Sequence, residues 1–335
     1  QFFTSLVYSL NTYFLLLIDG GQSGVFLAYA LFPLPLLYLK KLLDEGGGRN
    51  LATSFLFLAL LVIVDPRVAV VCLVTLFLWL ILEAIFLRKI PLIKNILSLI
   101  LLLFFETLIS LYWLIPLLVF GEGNISAHVS TLQLSSFLNS LLTYQPHWPQ
   151  NIFGVVTFPP FYFVLIPVLI LGGLLVKPAK KDFIFVLIFL SFAFLAKGET
   201  PPLGGIYKFV IENVPFGVTL RDSTKFFIPL LLFGGLLIGL FVEKVKSKFL
   251  VLAVYFYLLF LIYPALTGNL NGNLKVRSYS SDFAKIYEKI RNESGSFRSL
   301  WFPERHALSF QEETKPALDA KNLVELKPFA FFNEG

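Results

Sequence analysis

The sequence predicts an all-α polytopic membrane protein, with about nine transmembrane helices followed by the start of an exported mixed α/β domain. Three observations predict it. Hydrophobic residues fill 57% of the 335 positions and charged residues 14%, where a soluble domain carries roughly a quarter charged. The apolar residues, 38 Phe among them, exceed what a soluble core of this length buries. They also fall in runs of membrane length, and Lys and Arg crowd into alternate connectors.

The runs lie at about 2–18, 25–39, 51–64, 68–87, 95–120, 161–176, 183–196, 226–242 and 249–266. The run 226–242 has seventeen residues, which at about 1.5 Å each spans roughly 25 Å, close to the hydrocarbon thickness of a bilayer. The connectors "KKLLDEGGGRN", "RKIPLIKN", "KPAKKD" and "EKVKSK" hold twelve Lys or Arg, and the alternate connectors hold five: 67, 197, 208, 221 and 225. The first set is therefore expected to be cytoplasmic, with the C-terminal region outside.

Residues 1–266 then form a transmembrane bundle with two long outside loops, 121–160 and 197–225. Long loops on one face of a short-looped bundle are where function tends to be placed. From 267 to 335 the chain holds ten bases and nine acids, which marks the truncated start of a soluble domain. Phe283, Ile286, Tyr287 and Ile290 fall at the spacing of an amphipathic helix, and "FRSLWF" before Pro303 is a strand candidate. Such an order suggests an α/β or α+β module.

The formal charge of +6 is read by position and points to no nucleic-acid partner. The single cysteine, Cys72, excludes a disulfide within the chain. The chain opens at Gln1 inside an apolar segment with no basic n-region, so it reads as an internal piece of a longer protein. Nucleotide-loop, CxxC, His-pair and GxSxG patterns are absent from the sequence. Gly235 and Gly239 form a GxxxG that is expected to mark close helix packing. Weak sequons stand at Asn124 and Asn292.

Four of the five outside bases fall in loop 197–225. Arg221 and Lys225, with Lys208, are the candidate phosphate-binding set, because a guanidinium fork donates paired hydrogen bonds and an ammonium adds a point charge. The alternatives are that Arg221 pairs with Asp222 or snorkels to lipid headgroups. Asp222, Glu199 and Asp19 are candidates for a polar site beside it, Glu199 otherwise being a solvated loop acid. In that loop Tyr207, Phe209, Val210 and Val214 predict an interfacial helix after a Pro/Gly bend.

Tyr144, His147 and Trp148 stand among prolines with Phe153, either as a platform for a sugar ring or as interface anchors. Glu106 sits near the middle of the fifth run without a basic partner. It is expected to be structural, either protonated or hydrogen-bonded by Thr107 or Ser110. Glu83 is expected to reach solvent at the cytoplasmic edge.

"YSLNTYFLLLIDGGQSGVFLAYALFPLPLL", "SLYWLIPLL", "PFGVTLRDSTKFFIPLLLFGGLLIG" and "FRSLWFP", in that order, resemble the later membrane half of GT-C superfamily glycosyltransferases, nearest the arabinofuranosyltransferase-like and uncharacterised prokaryotic members. The resemblance covers most of the chain. It implies a cytoplasmic-membrane enzyme that moves a sugar from a polyprenyl-phosphate donor to a glycan or glycoprotein acceptor on the outer side. It also implies a catalytic acid in the first outside loop, which would precede Gln1, and a basic position near the lipid phosphate, best matched by Arg221 with Lys225. A divalent cation could share the charge stabilisation, since family members differ in metal use, but no ligand cluster shows in this sequence. The rival expectations are a transporter or flippase of lipid-linked saccharide and a non-catalytic membrane assembly subunit.

Overall fold

The computed structural model describes residues 2–120, 136–144, 150–151, 154–155, 159–176, 178–214, 217–268, 270, 281–293, 297–299 and 330–332. Asn124, His147, Trp148, Phe153, Pro303, most of loop 121–160 and most of the tail beyond 299 lie outside the described residues.

All nine apolar runs are helical where described. The first is α1 (Phe2–Ser9) and α2 (Thr12–Asp19), bent by 42° at their junction. Asn11 makes that junction stable. Its side chain accepts from Phe14 N at 2.9 Å and donates to Tyr8 O at 2.7 Å and to the Tyr29 hydroxyl at 2.9 Å. Backbone freed inside an apolar region must find partners in the protein, and a buried asparagine supplies both kinds.

The second run is α3 (Ser23–Leu31) and α4 (Pro33–Glu45), joined at Phe32. The next are α5 (Gly48–Val64), α6 (Pro66–Leu87) and α7 (Ile93–Phe120). Asp65 caps α6 by accepting from Arg67 N at 3.0 Å, with Pro66 at the first helical position, where no N–H is needed. Then follow α8 (Phe137–Leu142), α9 (Leu165–Leu175), α10 (Lys180–Ala196) and α11 (Gly204–Asn213). The remaining helices are α12 (Phe227–Val245), α13 (Lys248–Leu261), α14 (Tyr263–Leu266) and α15 (Ser281–Asn292).

Four of these stretches are long and apolar enough to cross a membrane among the described residues: Ser23–Glu45, Pro66–Leu87, Ile93–Pro116 and Ser223–Val245. The bent pair α1–α2 makes a fifth if it counts as one span, and Gly48–Val64, Phe161–Leu175 and Lys248–Leu261 are apolar but shorter. The expected nine spans are thus met by four or five on length and composition.

The expected amphipathic segment of the tail is helix α15. The strand candidate begins as Phe297–Ser299, which pairs in parallel with Ala330–Phe332.

Helix α12 is the hub, packed against α1, α9 and α10. Two thirds (67%) of its best membrane window is buried, against 17% for α7 at the edge. Gly235 and Gly239 do mark close packing. A Cβ on Gly235 would stand 3.1 Å from the Thr4 carbonyl oxygen, and one on Gly239 would stand 2.5 Å from Thr4 Oγ1. The missing side chains let α1 lie directly on α12.

The base-rich end is tied by ion pairs. Lys40 bridges Asp44 at 2.6 Å and Glu83 at 2.8 Å, Lys89 reaches Asp44 at 2.9 Å, and Lys244 reaches Asp182 at 2.5 Å. The Asp44 carboxylate holds the exposed Lys89 ammonium above its ordinary pKa. Glu83 corrects its expectation. It is buried, paired with Lys40 and bonded by Trp79 Nε1 at 2.9 Å, because its helix turns it toward α4 rather than to water.

Candidate functional site

Three sequence-distant segments meet at the other end of the bundle: the α2–α3 turn, the α5–α6 junction and the approach to α12. They enclose an open cleft of about 590 Å³ lined by residues 21–25 and 64–67 together with Asp222 and Lys225. From Arg67 to Glu83 along α6 is sixteen residues, so at about 1.5 Å each the cleft lies roughly 24 Å from the base-rich network.

Two ion pairs line it. Arg67 bonds Asp65 in the paired geometry of a guanidinium on a carboxylate, Nε to Oδ1 at 2.9 Å and Nη2 to Oδ2 at 2.8 Å. Asp65 is buried, while the Arg67 side chain is 45% exposed. A guanidinium has five N–H donors. Asp65 takes one edge of Arg67, and the others remain for a second acceptor.

The second pair is Lys225 with Asp222, formed between the 3₁₀ turn Ser223–Phe226 that leads into α12 and the aspartate that caps its start. Asp222 also accepts from Thr224 N at 3.1 Å and from Thr224 Oγ1 at 2.6 Å. Its charge lies close enough to act on Arg67, and the fully buried Tyr13 lies near both acids. The turn is fixed from behind by Ser223 Oγ, which bonds Ala196 O at 2.9 Å.

Gln22, Ser23 and Gly24 bring the start of α3 to the cleft, and Gln22 makes no capping bond with its side chain. The first N–H groups of a helix have no partner within it and carry partial positive charge. Arg67 and this helix start offer N–H donors to the cleft, while Asp65 and Asp222 hold its two cations, Arg67 and the buried Lys225, in place.

The sequence candidates are placed as follows. Lys225 and Asp222 line the cleft, and Asp19 is buried at the end of α2, beside its glycine turn. Arg221 is exposed and is not among the lining residues. Asp222, which one of the two alternatives paired with Arg221, bonds Lys225. Lys208 stands exposed on α11, 3.8 Å from Glu212. Glu199 is half-buried on the turn before α11, close enough to act on Tyr207.

Tyr207, read from sequence as part of an interfacial face, turns inward and donates to Leu220 O at 2.5 Å. Phe209 and Ile206 remain exposed on α11. Burial, with the nearby Asp222 and Glu199 charges, pushes the Tyr207 phenol well up. Burial also lowers the pKa of Lys197, whose amine donates to Thr200 O at 2.5 Å and sits 4.3 Å above the Phe194 ring.

Tyr144 is buried edge-on to Phe227, in the wall of a small apolar crevice of about 20 Å³, and is not among the residues that line the cleft. Glu106 is buried with neither carboxylate oxygen hydrogen-bonded. Thr107, one of the two alternative partners beside Ser110, turns its hydroxyl to Leu103 O, one turn back on the same helix.

Asp65 and Arg67 were not singled out from sequence, although "VDPRV" carries the same signal as the 221–225 cluster: an acid and a base set at the edge of an apolar run. Among the described residues no group of three His, Cys, Asp or Glu is arranged to hold a metal ion. No family model, curated protein or solved structure matches the chain.

Proposed function

We infer that this chain is the membrane part of a glycosyltransferase that moves a sugar from a polyprenyl-phosphate donor to an acceptor on the outer side of the cytoplasmic membrane. In this reading the nine helical runs all span, the base-rich end faces the cytoplasm and residues from 267 begin an exported domain. The observation that carries it is the Arg67 guanidinium, held on one edge by Asp65 with donors left over, in a cleft shared with Lys225 and the start of α3. Sugar transfer from a lipid phosphate needs positive charge on the departing phosphate. A base for the acceptor hydroxyl is also needed.

A flippase for the same class of lipid is the second reading, favoured by the broken α1–α2 run, since discontinuous helices recur in transporters. Reconstitution of the complete protein in liposomes with a radiolabelled polyprenyl-phosphate sugar separates the two. Labelled acceptor without net movement of donor lipid between leaflets supports the transferase. Donor movement without transfer favours the flippase, and neither outcome in a folded protein removes both readings.

A further inference from the structure

We propose that the base-rich end of the bundle holds a second anion site, which takes the phosphodiester headgroup of an anionic membrane lipid. The site is a cavity of about 140 Å³ between α4, α6 and α10, lined by Lys40, Asp44, Trp79, Glu83, Lys89 and Lys181 with Ile184 and Phe185 at its apolar side. A water occupies about 30 Å³ of liquid, so the space exceeds what a single bridging water fills.

Its charge balance points to a monoanion. Three ammonium groups face two carboxylates. Lys40 is shared between Asp44 and Glu83, and Lys89 leans on Asp44. Both acids are thus engaged by these two lysines, and Lys181, exposed at the start of α10, is the cation in excess. Lys40 is buried at the floor and Lys89 is half-exposed, so the cavity presents a fixed cation inside and adjustable ones outside.

The location favours a lipid over a soluble anion. Leu37, one turn before Lys40 on α4 and away from the base-rich connector, is 47% exposed, so apolar surface continues from beside the cavity toward the middle of the bundle. The network also sits where the apolar runs meet the base-rich connectors, the depth of headgroups. Basic pockets between membrane helices on that side commonly accept anionic headgroups. The Trp79 ring, 5.6 Å from the Lys40 amine, gives the site its own reporter.

The experiment uses the full chain in detergent with Trp113, Trp148 and Trp301 changed to Phe, which leaves Trp79 as the only tryptophan. It is titrated with phosphatidylglycerol brominated on its acyl chains, with brominated phosphatidylcholine, and with inorganic phosphate. Saturable quenching by the anionic lipid is expected, with the half-point raised at least fivefold by Lys181→Ala and restored by Lys181→Arg. A Lys181-dependent change in Trp79 emission with inorganic phosphate alone supports the anion site but gives it a soluble ligand. Equal quenching by phosphatidylcholine, or a half-point unmoved by Lys181→Ala, overturns the proposal. Because Lys181→Ala changes an exposed side chain remote from the cleft, the outcome is independent of the transferase reading.

Discussion

The Lys225 amine lies on the Asp222 carboxylate three residues before it, with the lysine side chain 2% exposed and the aspartate 26%. A buried cation without a partner is far costlier than the pair is stabilising. Asp222→Ala should therefore destabilise the fold by about 3 kcal/mol, the low end for breaking a buried pair, because Asp222 is partly wet. Lys225→Met in that background should recover most of the loss. Thermal midpoints in detergent check this, and a double variant no more stable than Asp222→Ala refutes it.

Arg67 rather than Arg221 should carry donor affinity. A charge-assisted bond to phosphate is worth about 1.5–3 kcal/mol, so Arg67→Ala in the complete protein should weaken donor use by roughly ten- to a hundredfold. Arg221→Ala, at an exposed position off the cleft, should change it less than about threefold, since rim charges contribute little. Transfer rate against donor concentration decides, and the reverse ranking would return the clamp to Arg221.

Gly239→Val should loosen α1 from α12, because its Cβ would meet Thr4 Oγ1 at 2.5 Å. Overpacking of this kind costs about 1–3 kcal/mol. Gly205→Ala is the control: nothing lies within 4 Å of its Cβ, and it should be neutral or stabilising by up to about 1 kcal/mol. Protease sensitivity near residue 10 would rise only in the first variant.

Alkaline stability should report Tyr207. Its folded pKa is raised by burial above the ordinary phenol value of about 10. The unfolded chain then loses this proton first. The contribution is full below about pH 10 and declines as pH rises above it toward the folded value. Tyr207→Phe should start lower by about 1 kcal/mol for the lost bond to Leu220 but fall less steeply above pH 10. Parallel curves for the two proteins would contradict this.

Sidedness can be read with single cysteines in a Cys72→Ala background. A cysteine at 205 should label from outside intact cells and one at 248 should not, as the expected base distribution requires. Labelling at 248 alone would invert the topology.

The helical runs and the Gly235/Gly239 contact were legible because both depend on local pattern: apolar length and a four-residue spacing. The bend at Asn11 was not, since run 2–18 is continuously apolar apart from small polar residues, and one of the partners of Asn11 is Tyr29, eighteen residues away. The cleft was half legible. Lys225 and Asp222 stood out as charges against a greasy helix, but Arg67 joins them only because α6 and α12 start at the same end of the bundle, a relation across about 150 residues that no window sees. Glu106 was conspicuous by type, yet which way Thr107 turns its hydroxyl depends on the competing carbonyl of Leu103.

That α12 is the hub sets a schedule for making the protein. Helix α1 is translated about 220 residues before the surface that receives it, with the two glycines opposite Thr4. At a synthesis rate of about 5–20 residues per second, α1 waits roughly 11–44 s before its seat exists. Over that interval the Asn11 side chain, able to bond Tyr8 O and then the Tyr29 hydroxyl, satisfies the break between α1 and α2. Docking of α1 onto α12 therefore comes late relative to the α1–α3 segment, whose break already has its hydrogen-bond partners within that segment.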